Sequence, residues 1–547
     1  MSESHVRGAN TPPLLNETIG VALERAAKDW QRRPALISRR QNIEWTYEEL
    51  NARADALATG FLELGFAVGD RVGIWAPNCA EWTLTQFACA KAGIILVTVN
   101  PAYRKSELEY ALNKSGCRAL VLAKAHRGVE FAAMLRELVA ERKLPQLKHA
   151  ILIGGKNIEG FLAFDDIAGA RPDNRLRAIG AALTPHSPIN IQFTSGTTGF
   201  PKGATLSHSN ILNNGFFVGE AIGLSPQDKL CIPVPLYHCF GMVMGNLGCL
   251  THGSTMVYPS EGFEPQAVLQ TVQDEKCTAL YGVPTMFIAE LGQSDFAQYD
   301  LSSLRTGIMA GSPCPIEVMH HVIDKMHMAE VTIAYGMTET SPVSFQSSRS
   351  DSIERRVSTV GRVLPHVEVK IVDENGATVP RGTPGELCTR GPSVMLGYWD
   401  DAAKTAEAID AEGWMHTGDI GTIDEEGYGN IVGRIKDMVI RGGENIYPRE
   451  IEEFLYRHPK VADVTVVGLP DERYGEELCA WIVLKPGQSA TVEDIKHFCD
   501  NQIARYKVPR YVKFVDAFPM TVTGKVQKFR IRETMIAELG LTIAKTA

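Results

Sequence analysis

The sequence predicts an α/β protein with a large N-terminal domain, made of βα-built sheets plus a small β-barrel module, and a small α+β C-terminal domain. With 547 residues the chain is too long for one compact core, so more than one domain is expected. From about residue 35 to 345, β-branched strands alternate with helix-forming segments, as in mostly parallel sheets covered by helices. Between about 360 and 435 the pattern changes to short β segments separated by glycine, which indicates a small barrel or antiparallel module.

The first βα series opens with a capping box. Thr46 and Glu49 have the residue types and spacing of this motif, and apolar residues at three-to-four spacing follow them. Strands and helices then alternate, beginning with a strand, at residues 71–76, 81–92, 94–99, 106–115 and 119–123. A second βα series runs from residue 190 to about 345. The polar residues 1–10 predict a loose tail, and the proline-containing residues 171–187 predict a linker.

The last ~110 residues have an α+β pattern of their own. A helix is predicted at residues 448–458 and strands at 464–467 and 478–483. Another helix is capped by Thr491 and carries acidic residues in its first turn. This part of the chain is therefore expected to fold as a separate domain.

Charge and composition exclude several classes of protein. Apolar residues make up 44% and charged residues 22%, which is ordinary for a soluble globular protein. The 55 basic and 64 acidic side chains give a net charge of −9, which argues against a nucleic-acid binder. No apolar run approaches the ~20 residues that span a bilayer, so no stable membrane insertion is expected.

The eleven cysteines are scattered along the chain. They form no Cys-x-x-Cys pair, and the sequence contains no His-Glu-x-x-His, so a structural zinc site is not expected. Dispersed thiols of this kind fit a reducing compartment, and a cytoplasmic location is expected.

Residues 191–204, IQFTSGTTGFPKGA, join an apolar strand to a loop rich in glycine and hydroxyl groups. Glycine lets the backbone approach a ligand closely, and consecutive N–H groups can cradle phosphate oxygens. Ser and Thr add donors, and a lysine adds a positive charge. The loop therefore predicts a polyphosphate site, although its spacing is not that of a Walker A loop. The predicted phosphate-binding residues are Thr194, Ser195, Gly196, Thr197, Thr198, Gly199 and Lys202.

This loop resembles the signature loop of the adenylate-forming superfamily, which contains acyl-CoA synthetases, aryl-CoA ligases, firefly-type luciferases and peptide-synthetase adenylation domains. Further motifs follow in that family's order, namely YGMTET at 335–340, WMHTGD at 414–419, GRIKD at 433–437 and PMTVTGK at 519–525. The resemblance implies an enzyme that joins a carboxylic acid to AMP with release of pyrophosphate. The acyl group then passes to the thiol of CoA.

The resemblance also implies a nucleotide site that holds Mg²⁺. Glu339 would bind the metal, and carboxylate oxygen is a suitable hard ligand for it. Asp419 would accept hydrogen bonds from the ribose hydroxyls, and Arg434 would bind ribose or the α-phosphate. The remaining nucleotide-binding residues implied by the resemblance are Gly311, Ser312, Tyr335, Gly336 and Thr338. His416, inside the WMHTGD motif, is interpreted as structural.

Lys525 resembles the family's adenylation lysine, whose ammonium stabilises charge while the carboxylate displaces pyrophosphate. The implied catalytic residues are Lys525, Glu339, His238 and Thr194. The family's domain division falls between residues 1–435, which would hold the acid and ATP sites, and 436–547, which would carry Lys525. The second domain is expected to rotate about a hinge near Lys436 between the two half-reactions.

The acid and CoA sites are also assigned by resemblance. The acyl pocket would be formed by Tyr237, His238, Phe240 and Met337, and the CoA site by Gly442, Gly443, Glu444 and Arg473. Three methionines, Met242, Met244 and Met309, are interpreted as flexible apolar lining. This lining favours an aliphatic acid over a charged one.

The segment NPAYR at 100–104 is most similar to medium-chain fatty acyl-CoA synthetases, so a medium-chain fatty acid is the expected substrate. Three alternatives stay open. These are a ligase for aryl or branched acids, an enzyme that loads a carrier protein instead of CoA, and a nucleotide sensor without turnover. A homodimer is also left open.

Overall fold

The computed structural model describes residues 2–155, 158–194, 201–312, 314–441, 444–471, 473–499, 502–521 and 525–541, with residues 444 and 445 described by their backbone only. It has four sheets, and two of them are large and mostly parallel, as the sequence predicts.

The first large sheet has eight strands. Six neighbouring strands, from β9 to β8, run parallel, whereas β10 pairs antiparallel with both β9 and the edge strand β20. In spatial order the strands are β20 (Gly397–Tyr398), β10 (Lys202–Ser207), β9 (Pro188–Thr194), β5 (Ile95–Thr98), β4 (Arg71–Trp75), β6 (Ala119–Leu122), β7 (His149–Leu152) and β8 (Leu162–Ala163).

The second large sheet has nine strands. Its central six are parallel, and antiparallel strands close both edges. In spatial order they are β17 (Arg362–Val363), β16 (Val343–Gln346), β15 (Glu330–Gly336), β14 (Thr306–Ala310), β13 (Ala279–Gly282), β11 (Lys229–Cys231), β12 (Thr255–Tyr258), β2 (Pro34–Ser38) and β3 (Ile43–Thr46).

The third sheet is the antiparallel module expected after residue 360. Its strands are β1 (His5–Arg7), β18 (Glu368–Val372), β19 (Gly385–Arg390), β21 (Met415–Ile423) and β22 (Gly429–Arg434). The prediction of a loose N-terminal tail is wrong here, because β1 pairs with the edge strand β18, with Val6 opposite Val369. A strand of three residues is too short to show a hydrophobic pattern in the sequence. It forms because β18, far along the chain, pairs with it.

The fourth sheet lies in the C-terminal part of the chain. Its strands are β24 (Glu444–Ile446), β23 (Val439–Arg441), β26 (Gly475–Leu484), β25 (Val461–Asp471) and β27 (Tyr511–Phe514). Strands β25 and β26 extend beyond the segments that the sequence predicts, because they pair with each other along almost their whole length.

Helices cover the sheets. Within the described residues they are α1 (Ile19–Asp29), α2 (Tyr47–Glu63), α3 (Ala80–Ala92), α4 (Lys105–Ser115), α5 (Phe131–Ala140), α6 (Phe164–Ala168), α7 (Asn174–Ala182), α8 (His208–Ile222), α9 (Gly248–His252), α10 (Pro265–Glu275), α11 (Pro284–Leu291), α12 (Ile316–Lys325), α13 (Ile353–Ser358), α14 (Ala402–Ala408), α15 (Pro448–Leu455), α16 (Val492–Cys499) and α17 (Lys528–Leu539). A π-helix spans Phe240–Leu247, and short 3-10 turns lie at Phe296–Gln298, Thr338–Thr340, Ile435–Asp437 and Arg505–Lys507.

The predicted capping box at the start of α2 is confirmed. The backbone N–H of Glu49 donates to Thr46 Oγ1 at 3.2 Å, and the backbone N–H of Thr46 donates to Glu49 Oε2 at 2.8 Å. The predicted linker at 171–187 is wrong in part, since α7 lies inside it, with Asp173 as its N-cap. Residues between the two prolines of this segment are good helix formers, and α7 packs on α2 and α3.

One apolar core joins the facing sides of the two large sheets. Helix α3 contacts β4 and β5 of the first sheet and β2 of the second, and α8 likewise contacts strands of both sheets. The predicted fold class is therefore confirmed. No helix in the described ranges is long and apolar enough to cross a membrane.

Candidate active site

The predicted site residues meet where strands of the two large sheets end. Strand β9 ends at Thr194, and β15 ends at Gly336, each with its motif directly after it. Ligands bind at the carboxyl ends of strands in open α/β sheets. Gly336 is required at its position, because a Cβ there would lie 1.7 Å from the carbonyl oxygen of Pro342. The backbone at Pro342 can therefore pass directly against the end of β15.

The predicted phosphate loop begins and ends in two paired strands. Thr194 of β9 lies opposite Lys202 of β10, and the Thr194 hydroxyl donates to the Lys202 carbonyl oxygen at 3.4 Å. The predicted residues Ser195, Gly196, Thr197, Thr198 and Gly199 lie outside the described residues. The two ends of the loop are thus fixed by strand pairing.

Lys202 is joined to Glu339 through a tyrosine that the sequence analysis did not single out. The Lys202 ammonium donates to the Tyr398 hydroxyl at 3.0 Å and lies 4.1 Å from the centre of the same ring. The Tyr398 hydroxyl in turn donates to Glu339 Oε1 at 2.9 Å. Burial lowers the pKa of Lys202, and the carboxylate of Glu339 opposes this shift. Burial, and then Glu339, raise the pKa of Tyr398 well above its usual value.

Glu339 lies in the 3-10 turn that follows β15. Glu339 is only 6% exposed, so its carboxylate lies inside the protein and not on a surface helix. The carbonyl oxygen of Glu339 accepts from the N–H of Met395 at 2.9 Å, which ties the turn to the chain before β20. Thr338, its neighbour in the turn, is half-buried.

Asp419 forms a second centre of the site. The Tyr335 hydroxyl donates to Asp419 Oδ2 at 2.6 Å, and Arg434 Nε donates to Asp419 Oδ1 at 2.9 Å. Asp419 and Arg434 face each other across β21 and β22. Burial by itself lowers the pKa of Arg434, but the carboxylate of Asp419 and other negative groups outweigh it, so that this pKa is raised.

Lys525 reaches this cleft from the C-terminal part of the chain. Lys525 as a whole residue is exposed to solvent, yet burial of the ammonium lowers the pKa of Lys525. The charge of Arg434 adds to this lowering, whereas Asp419 and Glu339 oppose it. The backbone around Lys525 is anchored, since its N–H donates to Thr521 Oγ1 at 3.0 Å.

His238 lies at the start of the π-helix and faces the same cleft. Burial, assisted by the charge of Lys525, lowers the pKa of His238 to about 4, so the ring is neutral at physiological pH. Its Nδ1 accepts from the N–H of Phe240 at 3.2 Å, which leaves the ring proton on Nε2. A neutral hydrogen-bond donor is therefore held within electrostatic range of the Lys525 ammonium.

Apolar groups follow His238. Phe240 packs against Tyr281 with ring centres 5.3 Å apart, and Met242 and Met244 are buried in the central core. Met337 packs against the same core. Met309 does not belong to this set, because it points to the other side of β14 and is buried among the side chains of α12. Alternation along a strand places neighbouring side chains on opposite faces, and this corrects the interpretation of Met309 as pocket lining.

The hydroxyl of Tyr237 is buried without a hydrogen-bond partner among the described residues. Burial raises the pKa of Tyr237 above its usual value, and Tyr103 contributes to the shift. An unpaired buried hydroxyl is a site where a ligand or a water can bind.

The predicted adenine and CoA residues are placed as follows. Gly311 and Ser312 follow β14 at the same end of the second sheet. Gly442, Gly443 and the side chain of Glu444 lie outside the described residues. Arg473 is exposed, and its guanidinium lies 5.0 Å from the ring centre of Tyr474. Lys436 lies in the 3-10 turn after β22, close enough to Lys202 to lower its pKa.

Comparisons with known proteins identify the family. A model described as "AMP-binding enzyme" matches residues 23–399, and one described as "AMP-binding enzyme C-terminal domain" matches residues 450–525. The chain belongs to the AMP-binding enzyme family. The expected resemblance to the adenylate-forming superfamily is thereby confirmed.

Curated relatives and solved structures resemble this chain over nearly its whole length. The medium-chain acyl-CoA ligase ACSF2 of Danio rerio is 46% identical over 558 residues, which cover 99% of this chain and 92% of that protein. The crystal structure of the anthranilate CoA ligase AuaEII with anthranoyl-AMP has a TM-score of 0.85 at 28% identity and covers 96% of this chain and 99% of its own. The crystal structure of ATP-bound MatB from Rhodopseudomonas palustris has a TM-score of 0.82 at 29% identity. It covers 95% of this chain and 99% of its own.

Proposed function

We propose that the protein is an ATP-dependent acyl-CoA synthetase. It joins a carboxylic acid to AMP with release of pyrophosphate and then transfers the acyl group to the thiol of CoA. The observation that carries this proposal is the position of Lys525, whose ammonium lies within electrostatic range of Arg434, Asp419 and Glu339 although it is far from them along the chain. The relatives named acyl-CoA ligase support it.

The first half-reaction brings two anions together. An oxygen of the substrate carboxylate attacks the α-phosphorus of ATP, the bond between the α- and β-phosphates breaks, and pyrophosphate leaves. The ammonium of Lys525 and the guanidinium of Arg434 reduce the repulsion and stabilise the charge that develops at the α-phosphate. The neutral His238, with its proton on Nε2, donates a hydrogen bond that orients the carboxylate.

The remaining residues hold the nucleotide. Asp419 accepts from the ribose hydroxyls through the lone pairs that Tyr335 and Arg434 leave open. The ring of Tyr335 stacks near adenine, beside Gly311, Ser312 and Gly336. The hydroxyls of Thr194 and Thr338, the ammonium of Lys202 and the loop 195–199 bind the phosphates.

Mg²⁺ belongs to this proposal, with Glu339 as its ligand. A buried carboxylate at the end of β15, which receives a hydrogen bond on Oε1 from Tyr398, has the hard oxygen that this ion prefers. When bound, the ion neutralises charge on the phosphates that leave as pyrophosphate. Tyr398 fixes the orientation of the carboxylate, and Lys202 is held one hydrogen bond away on the same tyrosine.

CoA is proposed to enter after the C-terminal part, residues 436–547, rotates about Lys436. Gly442, Gly443 and Glu444 would then line the passage of the pantetheine chain. Arg473 is exposed and therefore accessible to the phosphates of CoA.

A medium-chain fatty acid is the proposed substrate. The buried apolar side chains of Phe240, Met242 and Met244 support an aliphatic chain, and so does the name of the ACSF2 relative. An aryl acid is the second candidate, because AuaEII, an anthranilate CoA ligase, has a very similar fold. Its 28% identity is lower than the 46% of ACSF2, which favours the fatty acid.

The cell compartment is part of the same proposal. All eleven cysteines are free and ten of them are buried, which supports a reducing compartment, here the cytoplasm.

The test is a panel of straight-chain, branched and aryl acids, assayed by pyrophosphate release and by CoA-dependent release of AMP. The expected result is acid-dependent pyrophosphate release that is highest for medium-chain fatty acids, with CoA required for turnover. Turnover with a carrier protein but not with free CoA would contradict the acyl-CoA assignment. Failure of every acid to produce an acyl-adenylate would overturn the proposal.

A further inference from the structure

A second cluster of chemically active side chains lies outside the cleft, on the antiparallel third sheet. Cys388 of β19 and His416 of β21 are a directly opposed cross-strand pair. Glu386 precedes Cys388 by two residues and presents its carboxylate to the same ring. One ligand atom from each of the three residues lies within 4.8 Å of the other two, and this is the one such group of three or more His, Cys, Asp or Glu residues in the described part of the chain.

One nitrogen of His416 faces both of the other donors. Its Nδ1 lies 2.9 Å from Glu386 Oε2 and 3.5 Å from Cys388 Sγ. The other ring nitrogen, Nε2, lies 3.8 Å from Asp410 Oδ2. Histidines that bind metals typically direct the second nitrogen to a carboxylate, which fixes the ring and its tautomer. The cluster has this arrangement, with Nδ1 toward the donors and Nε2 toward Asp410.

We propose that Glu386, Cys388 and His416 form a three-ligand site for a divalent transition metal of the Zn²⁺ class, with Asp410 orienting the histidine. Thiolate, imidazole and carboxylate together are the ligand set of such ions, whereas Mg²⁺ and Ca²⁺ prefer oxygen alone. With Cys388 as a thiolate and His416 neutral, the ligands carry two negative charges that balance those of the ion.

The exposure of two of the three side chains gives an ion access to this site. The Cys388 residue is buried, while the side chains of His416 and Glu386 are 34% and 22% exposed, so an ion can enter from solvent and keep a water as its fourth ligand. Binding of the ion breaks the S–H bond of Cys388, forms a metal–sulfur bond and releases one proton to solvent.

The site is connected to the nucleotide-binding cleft. Glu386 Oε1 accepts from the N–H of Gly418 at 3.1 Å, and Thr417 Oγ1 donates to the Leu387 carbonyl oxygen at 2.7 Å. Both contacts hold the irregular segment of β21 that places Asp419. A metal bound to Cys388 and His416 would link β19 to β21 three residues before Asp419.

The test uses the full-length protein, stripped of metal with a chelator and kept reduced without added thiol, and Co²⁺ as the spectroscopic probe for this class of ion. We expect one equivalent of Co²⁺ to bind with a near-ultraviolet sulfur-to-cobalt charge-transfer band, and Zn²⁺ to displace it. The variant Cys388→Ser should lose the band, and His416→Gln should weaken binding by at least about 100-fold. Asp410→Asn should weaken it by about 10–100-fold while it keeps the band at saturation.

Cys314→Ser is the matched control, because Cys314 is the least buried of the eleven cysteines and lies outside the cluster. It should bind Co²⁺ like the unmodified protein. A band that persists in Cys388→Ser, or no band in the unmodified protein at millimolar Co²⁺, would overturn the proposal. The second outcome would mean that the cluster is a hydrogen-bonded His416 between two carboxylates. His416→Gln changes a partly exposed side chain, so its result stands even where Cys388→Ser fails to fold.

Discussion

Lys202 and Glu339 are bridged by one phenol, because the Tyr398 hydroxyl accepts from the first residue and donates to the second. Lys202 belongs to the predicted phosphate loop and Glu339 to the predicted metal-binding turn. The bridge therefore couples the two groups that would hold the phosphates of ATP. Tyr398 itself belongs to the two-residue edge strand β20, which pairs with β10.

Tyr398→Phe tests the importance of this bridge. The variant keeps the ring under Lys202 but leaves the buried Glu339 without its donor, and a hydrogen bond to a charged group contributes about 1.5–3 kcal/mol. We expect kcat/KM for ATP, measured by acid-dependent exchange of pyrophosphate into ATP, to fall by about tenfold or more. Tyr428→Phe is the control, since Tyr428 also donates to a carboxylate, Asp351, but lies away from the cleft. Equal rates in both variants would show that the bridge is dispensable.

Lys525→Ala tests the proposed adenylation lysine. Removal of one group that stabilises the transition-state charge costs about 10²–10³-fold in rate, and we expect a loss of this size in adenylate formation. Transfer to CoA from a pre-made acyl-adenylate should be largely preserved, because that half-reaction needs no displacement of pyrophosphate. Lys513→Ala, which removes a lysine ion-paired with Glu538, should leave both half-reactions intact. Normal adenylate formation in Lys525→Ala would exclude the assignment.

The candidate site residues that lie in sequence motifs could be predicted from the sequence. Glu339, Asp419 and Lys525 stand in spaced patterns, and the structure brings them into one cleft. Tyr398 escaped prediction because its role depends on the pairing of β20 with β10, and nothing in its local sequence encodes that contact.

The same reason explains the other differences. The cluster of Glu386, Cys388 and His416 is assembled across two strands, so no short Cys or His spacing signals it. Strand β1 depends on its partner β18 in the same way. The large sheets were predictable because β-branched runs alternate with helical periodicity within short windows. Arrangements set by tertiary pairing leave no such local pattern.

The pKa of Lys525 gives adenylation a defined pH dependence. Burial, together with Arg434, lowers this pKa from its usual value, so the ammonium loses its proton at a lower pH than an ordinary lysine. In the proposed mechanism the protonated form stabilises the transition state, so adenylation should decline as pH rises through the lowered pKa. Lys525→Arg should move this decline to higher pH, because a guanidinium keeps its charge. We expect this shift in the pH profile of kcat/KM for ATP. If the decline at high pH is the same in Lys525→Arg, another group causes it.

Arg473→Glu tests the proposed CoA contact. Arg473 is exposed, and reversal of its charge replaces attraction to the phosphates of CoA by repulsion. Loss of one charge-assisted hydrogen bond, about 1.5–3 kcal/mol, predicts a rise of about tenfold or more in the KM for CoA. The KM for ATP in the pyrophosphate-exchange assay should change little, because the adenylation cleft is lined by other residues. Arg530→Glu, on the exposed start of α17, is the matched control for a change in net charge. If both variants raise the KM for CoA equally, the effect comes from the overall field of the protein, and Arg473 is removed from the CoA site.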